Sequence, residues 1–109
     1  MYEYRAKVMK VVDGDTVDAA VDLGFNIFIT ERFRFYGVNA PETKGEEKEK
    51  GLAVKALVTR ELLNKTLVFR TYKKDKYGRW LATIVLLDGS DYNKSLVKRG
   101  LAVPYMETE

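Results

Sequence analysis

The stretch YEYRAKVMKVVDGDTVDAAV, residues 2–21, decides how this chain folds. Tyr2, Tyr4, Ala6 and Val8 alternate with Glu3, Arg5 and Lys7, the two-residue period of a strand with one buried face. Val17, Ala19 and Val21 resume that period beyond Asp13-Gly14, a dipeptide that favours a tight hairpin turn. From Phe25 to Val38 a β-branched and aromatic run gives a third strand, so residues 2–38 predict a three-stranded meander.

Working outward, KGEEKEKG at 44–51 carries three lysines and three glutamates and reads as an exposed loop. Beyond it Leu52, Ala53, Ala56, Leu57 and Leu63 recur at helical spacing, which predicts a helix near 48–63. Leu67–Tyr72 and Trp80–Leu87 read as strands four and five, joined across KKDKYGR. Ser90 is the expected cap of a short helix over Asp91–Arg99, stopped by Gly100. Three strands, a helix, two strands and a closing helix predict a mainly β chain, a five-stranded barrel of the OB type, formed by residues 1–109 as a single domain.

Composition agrees with one soluble globular domain: 109 residues, 46% hydrophobic and 32% charged, with seven Tyr and five Phe. No apolar run approaches the ~20 residues of a membrane span, and the N-terminus lacks the apolar stretch of a signal peptide. Membrane association is not expected, and a monomer is. The chain has no cysteine, which suits secreted and cytoplasmic settings equally, so no compartment is assigned. It also has no histidine, which removes the commonest general base and zinc ligand. Any catalysis must therefore use carboxylates, arginines, lysines, tyrosines or a metal held by oxygen.

The net charge of +3 is unevenly distributed. Residues 64–80, NKTLVFRTYKKDKYGRW, hold six basic side chains and one acid, interleaved with Phe69, Tyr72, Tyr77 and Trp80. Such a stretch can meet phosphates and stack on bases, or simply form a solvated strand pair. VVDGDTVDA reads first as a turn, yet leaves the Asp15 carboxylate at the start of a strand. An EF-hand loop is excluded, because its sixth position would be Asp18 and its twelfth Gly24. Arg32 and Arg34 share one strand face opposite Phe33 and Phe35. Arg32 reads as a plain surface residue. Arg34 suits either a phosphate grip or an ion pair with Asp15 or Glu42. In DKYGR, Arg79 projects from a turn, as an exposed residue or as a second guanidinium at the same site.

Taken in order, Asp-Gly-Asp-Thr at 13–16, Arg34 followed by Asn-Ala-Pro-Glu at 39–42, Asp-Lys-Tyr-Gly-Arg at 75–79 and Leu-Val-Lys-Arg-Gly-Leu-Ala at 96–102 resemble the staphylococcal nuclease (thermonuclease) family of SNase-like OB-fold proteins. The resemblance covers nearly the whole chain. It implies a calcium-dependent nuclease that acts on single- or double-stranded DNA and RNA, cutting the P–O5′ bond to leave a 3′-phosphate. Asp15 matches a metal-ligand aspartate and Asp13 an acid near the metal. Asn39 stands where the family usually has a second aspartate ligand, and Ala40 where a backbone carbonyl coordinates. Arg34 and Arg79 match the arginines that hold the scissile phosphate, and Glu42 matches the general base. Lys76 and Tyr77 match substrate contacts, and Tyr105 is placed in the aromatic wall of the base pocket.

The physics of phosphodiester cleavage agrees with these roles. A phosphodiester repels an incoming nucleophile, so a cation and two guanidiniums aimed at its oxygens lower the barrier, each preorganised donor by ~2.7–4 kcal/mol. Asn39 supplies a neutral oxygen instead of a carboxylate, which predicts weaker calcium binding. The alternative is a catalytically silent SNase-like module that binds nucleic acid or a protein partner. The presence of Asp15, Arg34, Glu42 and Arg79 together favours the phosphodiesterase. A plain single-strand binder would leave Glu42 without a purpose, because an unpaired acid beside the strand path repels phosphate.

Overall fold

In the computed structural model, which describes residues 1–106, β1 (Tyr2–Asp13) and β2 (Thr16–Asp22) form the expected hairpin and β3 (Phe28–Phe35) extends it. After α1 (Lys48–Leu62), β5 (Thr66–Lys74) and β6 (Trp80–Val85) complete a closed barrel in the order β1-β2-β3-β6-β5. The barrel closes where β3 and β6 run parallel, over Phe33↔Trp80 to Phe35↔Ala82. Inward residues of all five strands fill it, among them Val8, Val17, Phe35, Phe69 and Ile84, with Phe33 and Phe69 edge to face at 4.9 Å. Val54, Val58 and Leu62 form the buried stripe of α1. Among the described residues no helix is long and apolar enough to cross a membrane.

The third strand is shorter than its composition suggests. Gly24, Phe25 and Asn26 all have left-handed φ (81°, 56° and 59°), so the chain turns there and pairing begins at Phe28. At the other end Gly37 (φ 79°) breaks the strand after Phe35. Val38–Asn39 becomes a separate β4, paired with β7 (Val103–Pro104) in a two-stranded sheet outside the barrel. Asp13 pairs with Thr16, so Gly14 and Asp15 are the turn residues, and Gly14 does not use a left-handed φ. Its requirement is space: an added Cβ would lie 2.7 Å from Val54 Cγ1 and 3.0 Å from Ala40 Cβ. The cap of α2 (Tyr92–Lys98) is Asp91, whose carboxylate accepts the Lys94 N–H at 2.9 Å, while Ser90 donates to Asp88.

Two polar contacts hold the pieces in place. The buried Asn93 side chain accepts the Ile84 N–H at 3.1 Å and donates to the Tyr36 and Ala82 carbonyls at 2.9 Å each, fixing the turn just after Arg34. Glu61 of α1 receives the Tyr92 hydroxyl at 2.7 Å and both terminal nitrogens of Arg99, at 3.0 and 2.9 Å. Hydrogen bonds from Arg99 hold the Glu61 carboxyl below its ordinary range, outweighing burial, with Tyr92 adding to them. A carboxyl depressed in the folded state stabilises above its unfolded range, and that contribution disappears as pH falls through the folded value. Glu61→Gln is therefore expected to lower the melting temperature at neutral pH by the equivalent of about 1 kcal/mol or less. Melts in an acid series should show the gap to wild type closing as pH drops through the carboxylate range.

Candidate active site

Four segments converge on one rim of the barrel. The β1–β2 turn carries Asp15, the end of β3 carries Arg34, the segment after β4 carries Ala40 to Glu42, and the β5–β6 turn carries Tyr77 and Arg79. All of these residues, with Asp13, Asn39 and Tyr105, line a single cavity of about 650 Å³. Of the site residues expected from sequence, Lys76 alone stays outside the lining: it is exposed, with Nζ 5.3 Å from the Tyr77 ring centre.

Arg34 is only 7% exposed, a position a guanidinium tolerates only with partners. It donates to Asn39 Oδ1 at 3.0 Å and to the Phe35 carbonyl at 3.2 Å. Asp15 Oδ2 is 3.9 Å away, and the Tyr105 ring centre lies 5.0 Å from its central carbon. The phosphate grip and the ion pair with Asp15 are thus compatible, since that pair is loose and the side chain faces the cavity. Asp15, 8% exposed, is held by the Thr16 hydroxyl at 3.0 Å on one oxygen and by the Ala40 N–H at 2.9 Å on the other. Those bonds aim its remaining lone pairs without neutralising it.

Arg79 is positioned by a residue not anticipated from sequence. Asp75 Oδ2 accepts its Nε–H at 2.7 Å and lies 2.7 Å from a terminal nitrogen in the same ion pair, and Asp75 Oδ1 accepts the backbone N–H of Tyr77 and of Arg79 at 2.8 and 3.0 Å. Burial pushes the Asp75 carboxyl up, but the hydrogen bonds from Arg79 and Tyr77 win, and it is held below its ordinary range. The i, i+4 spacing of the two residues in a turn was the available signal. Arg32 and Pro41 also line the cavity. Arg32, expected to be a plain surface residue, forks onto Asp18 at 2.7 and 3.0 Å; its two-residue spacing from Arg34 already placed both on one face.

Glu42 is exposed at the cavity edge, and its backbone N–H donates to Glu47 Oε1 at 3.3 Å. Asp13 accepts the Thr43 hydroxyl at 3.1 Å, which ties the loop carrying Glu42 back to the hairpin turn. Among the described residues, no group of three or more carboxylate, imidazole or thiol side chains is arranged to hold a metal. The oxygens at hand are the Asp15 and Asp13 carboxylates, the Ala40 carbonyl and the Asn39 amide, whose Oδ1 already accepts Arg34. An all-oxygen set would suit a hard cation such as calcium, and its low charge would hold that ion weakly.

The family described as staphylococcal nuclease homologue matches residues 32–109. An uncharacterised protein of Methanocaldococcus jannaschii is 33% identical over an alignment of 129 positions, covering 94% of this chain and 60% of that protein. An endonuclease of Bacillus subtilis is 33% identical, over 94% of this chain and 9% of its own length. A thermonuclease of Staphylococcus intermedius is 37% identical, over 87% of this chain and 56% of its own. The chain thus spans less than two thirds of each of these relatives. A five-stranded barrel with these motifs on one rim, matched by the family over residues 32–109, places the chain in the staphylococcal nuclease homologue family.

Proposed function

We propose that this chain is a calcium-dependent phosphodiesterase acting on DNA and RNA, cleaving the P–O5′ bond to leave a 3′-phosphate. The observation that carries this reading is the presence of Arg34, Arg79 and Glu42 on one cavity beside the Asp15 carboxylate. Family membership and the named nucleases among the relatives support a nuclease function. Arg34 and Arg79 receive the non-bridging oxygens of the phosphate, and because Asn39 and Asp75 hold them in advance, little reorganisation is needed as charge builds. Glu42 takes a proton from water, whose oxygen attacks phosphorus while the bond to O5′ breaks, and the departing 5′ oxygen takes a proton from solvent to leave as the alcohol. Tyr77 and Tyr105 offer ring faces to the neighbouring sugar and base. When held by Asp15, the Ala40 carbonyl and the Asn39 amide, with Asp13 beside them, calcium would add positive charge next to the phosphate.

One observation favours the silent binding module as second reading: Asn39 is neutral and its oxygen is engaged by Arg34. A single-stranded oligonucleotide incubated with the protein in calcium and in chelator separates the two. Calcium-dependent fragments whose 3′ ends yield phosphate to a phosphatase are expected; binding without cleavage would leave the module reading. Asn39→Asp restores a carboxylate and is expected to lower the calcium concentration at half-maximal rate on the order of tenfold.

A further inference from the structure

Running away from this cavity, which its last residue Arg32 lines, the first half of β3 has one unpaired edge. Phe28–Arg32 pair with Asp22–Asp18 of β2 on one side, whereas β6 joins the other side only from Phe33 onward. The bonds from the Leu23 N–H to the Ile27 carbonyl and from the Phe35 N–H to the Asp15 carbonyl show that odd-numbered β3 residues face β2. The N–H and C=O groups of Phe28 and Thr30 therefore point outward. Side chains around this edge are apolar and open to solvent: Phe25 is 96%, Ile27 53%, Phe28 60% and Ile29 42% exposed. Alongside runs a groove of about 300 Å³, with Tyr2, Tyr4, Leu23, Ile29 and Trp80 among its walls. An exposed apolar edge is a template for another strand.

Charge selects the class of partner. Residues 19–31 contain Asp22 and Glu31 and no lysine or arginine, in a chain of net charge +3. Arg32, at the end of this edge, is neutralised by Asp18, and Lys74 sits 5.1 Å over the Trp80 ring, so the surface carries no excess positive charge to draw phosphates or anionic lipid, and its open hydrogen-bonding groups suit an extended protein backbone. We propose that the β3 edge pairs antiparallel with the same strand of a second copy, about a two-fold axis at Ile29. In that register Ile29 meets Ile29, the outward-facing Phe28 and Thr30 exchange backbone hydrogen bonds, and Glu31 lies opposite Ile27, keeping the two acids at opposite ends of the ladder. The pairing gives the groove beside Ile29 a cover and replaces the monomer expected from sequence with a reversible dimer. It does not depend on the nuclease reading.

Sedimentation equilibrium over a concentration series reaching roughly 1 mM tests it, the range in which weak self-association is populated. Wild type is expected to pass reversibly from monomer to dimer. Thr30→Pro removes an outward N–H that no strand of the same chain uses, and Ile29→Lys sets two charges face to face. Both variants are expected to stay monomeric with unchanged circular dichroism. Should either fail to fold, hydrogen exchange on wild type gives the same answer: the Phe28 and Thr30 amides should gain protection as concentration rises. A wild type that remains monomeric throughout, or a dimer that survives both substitutions, overturns the proposal.

Discussion

Glu42→Gln is expected to lower the rate of phosphodiester cleavage roughly 10²–10⁴-fold, the worth of a positioned general base, with no change in melting temperature. Glutamine keeps the length and one carbonyl oxygen of glutamate but cannot take the proton of an attacking water. The side chain is exposed at the cavity edge and the contact that orders this residue is made by its backbone N–H, so the fold has little to lose. Oligonucleotide binding in chelator should tighten slightly, because an acid facing the phosphate path is removed. Rapid-quench rates at saturating substrate, read beside the binding curve, separate the two effects. A loss of less than about tenfold would move the base elsewhere. Arg34→Ala would be less informative, since it also strips Asn39 and the Phe35 carbonyl of a buried donor.

The barrel was legible because its strands are half-buried, and half-burial writes a two-residue period that survives in the sequence. The helix expected near 48–63 lies at Lys48–Leu62 for the parallel reason. What periodicity could not carry was structure too short to have a period. β4 and β7 are two residues each, bring together distant parts of the chain, and include a proline that argues against a strand. The cap of α2 was ambiguous for another reason: Ser90 and Asp91 are both good caps, and only the pull of Asp88 on Ser90 decides between them. At the cavity, Asp15, Arg34, Glu42 and Arg79 were placed by motif, and folding brings them to one rim. Asp75 and Arg32 were missed because an acid and a base near turns look like solvated surface until their partners are known. Gly14 is the turn residue its sequence suggested, but what requires glycine there is the close approach of α1 and Ala40, a distance no local pattern encodes.

Gly51 poses the same question with more at stake. It is the fourth residue of α1, outside the left-handed region, so helix propensity alone predicts that Gly51→Ala stabilises by about 1 kcal/mol. The packing predicts the reverse. A Cβ there would overlap the carbonyl carbon and oxygen of Glu42 and lie 2.8 Å from the Thr43 nitrogen. These are backbone atoms, with no rotamer through which to escape, so either α1 or the loop must move. Overpacking of this kind costs about 1–3 kcal/mol, which outweighs the propensity gain at most of that range. The larger consequence is for catalysis, because the displaced segment is the one that carries Glu42 and follows the Asn39–Ala40 pair. A shift near 1 Å at a reacting group costs on the order of 10²-fold. Gly51→Ala is therefore expected to melt below wild type and, assayed well under its melting temperature, to lose about 10²-fold in rate. The exposed neighbour Lys50→Ala should change neither. If Gly51→Ala melted higher than wild type at full activity, the loop would have room to spare, and the close seating of Glu42 on α1 could not be what positions the base.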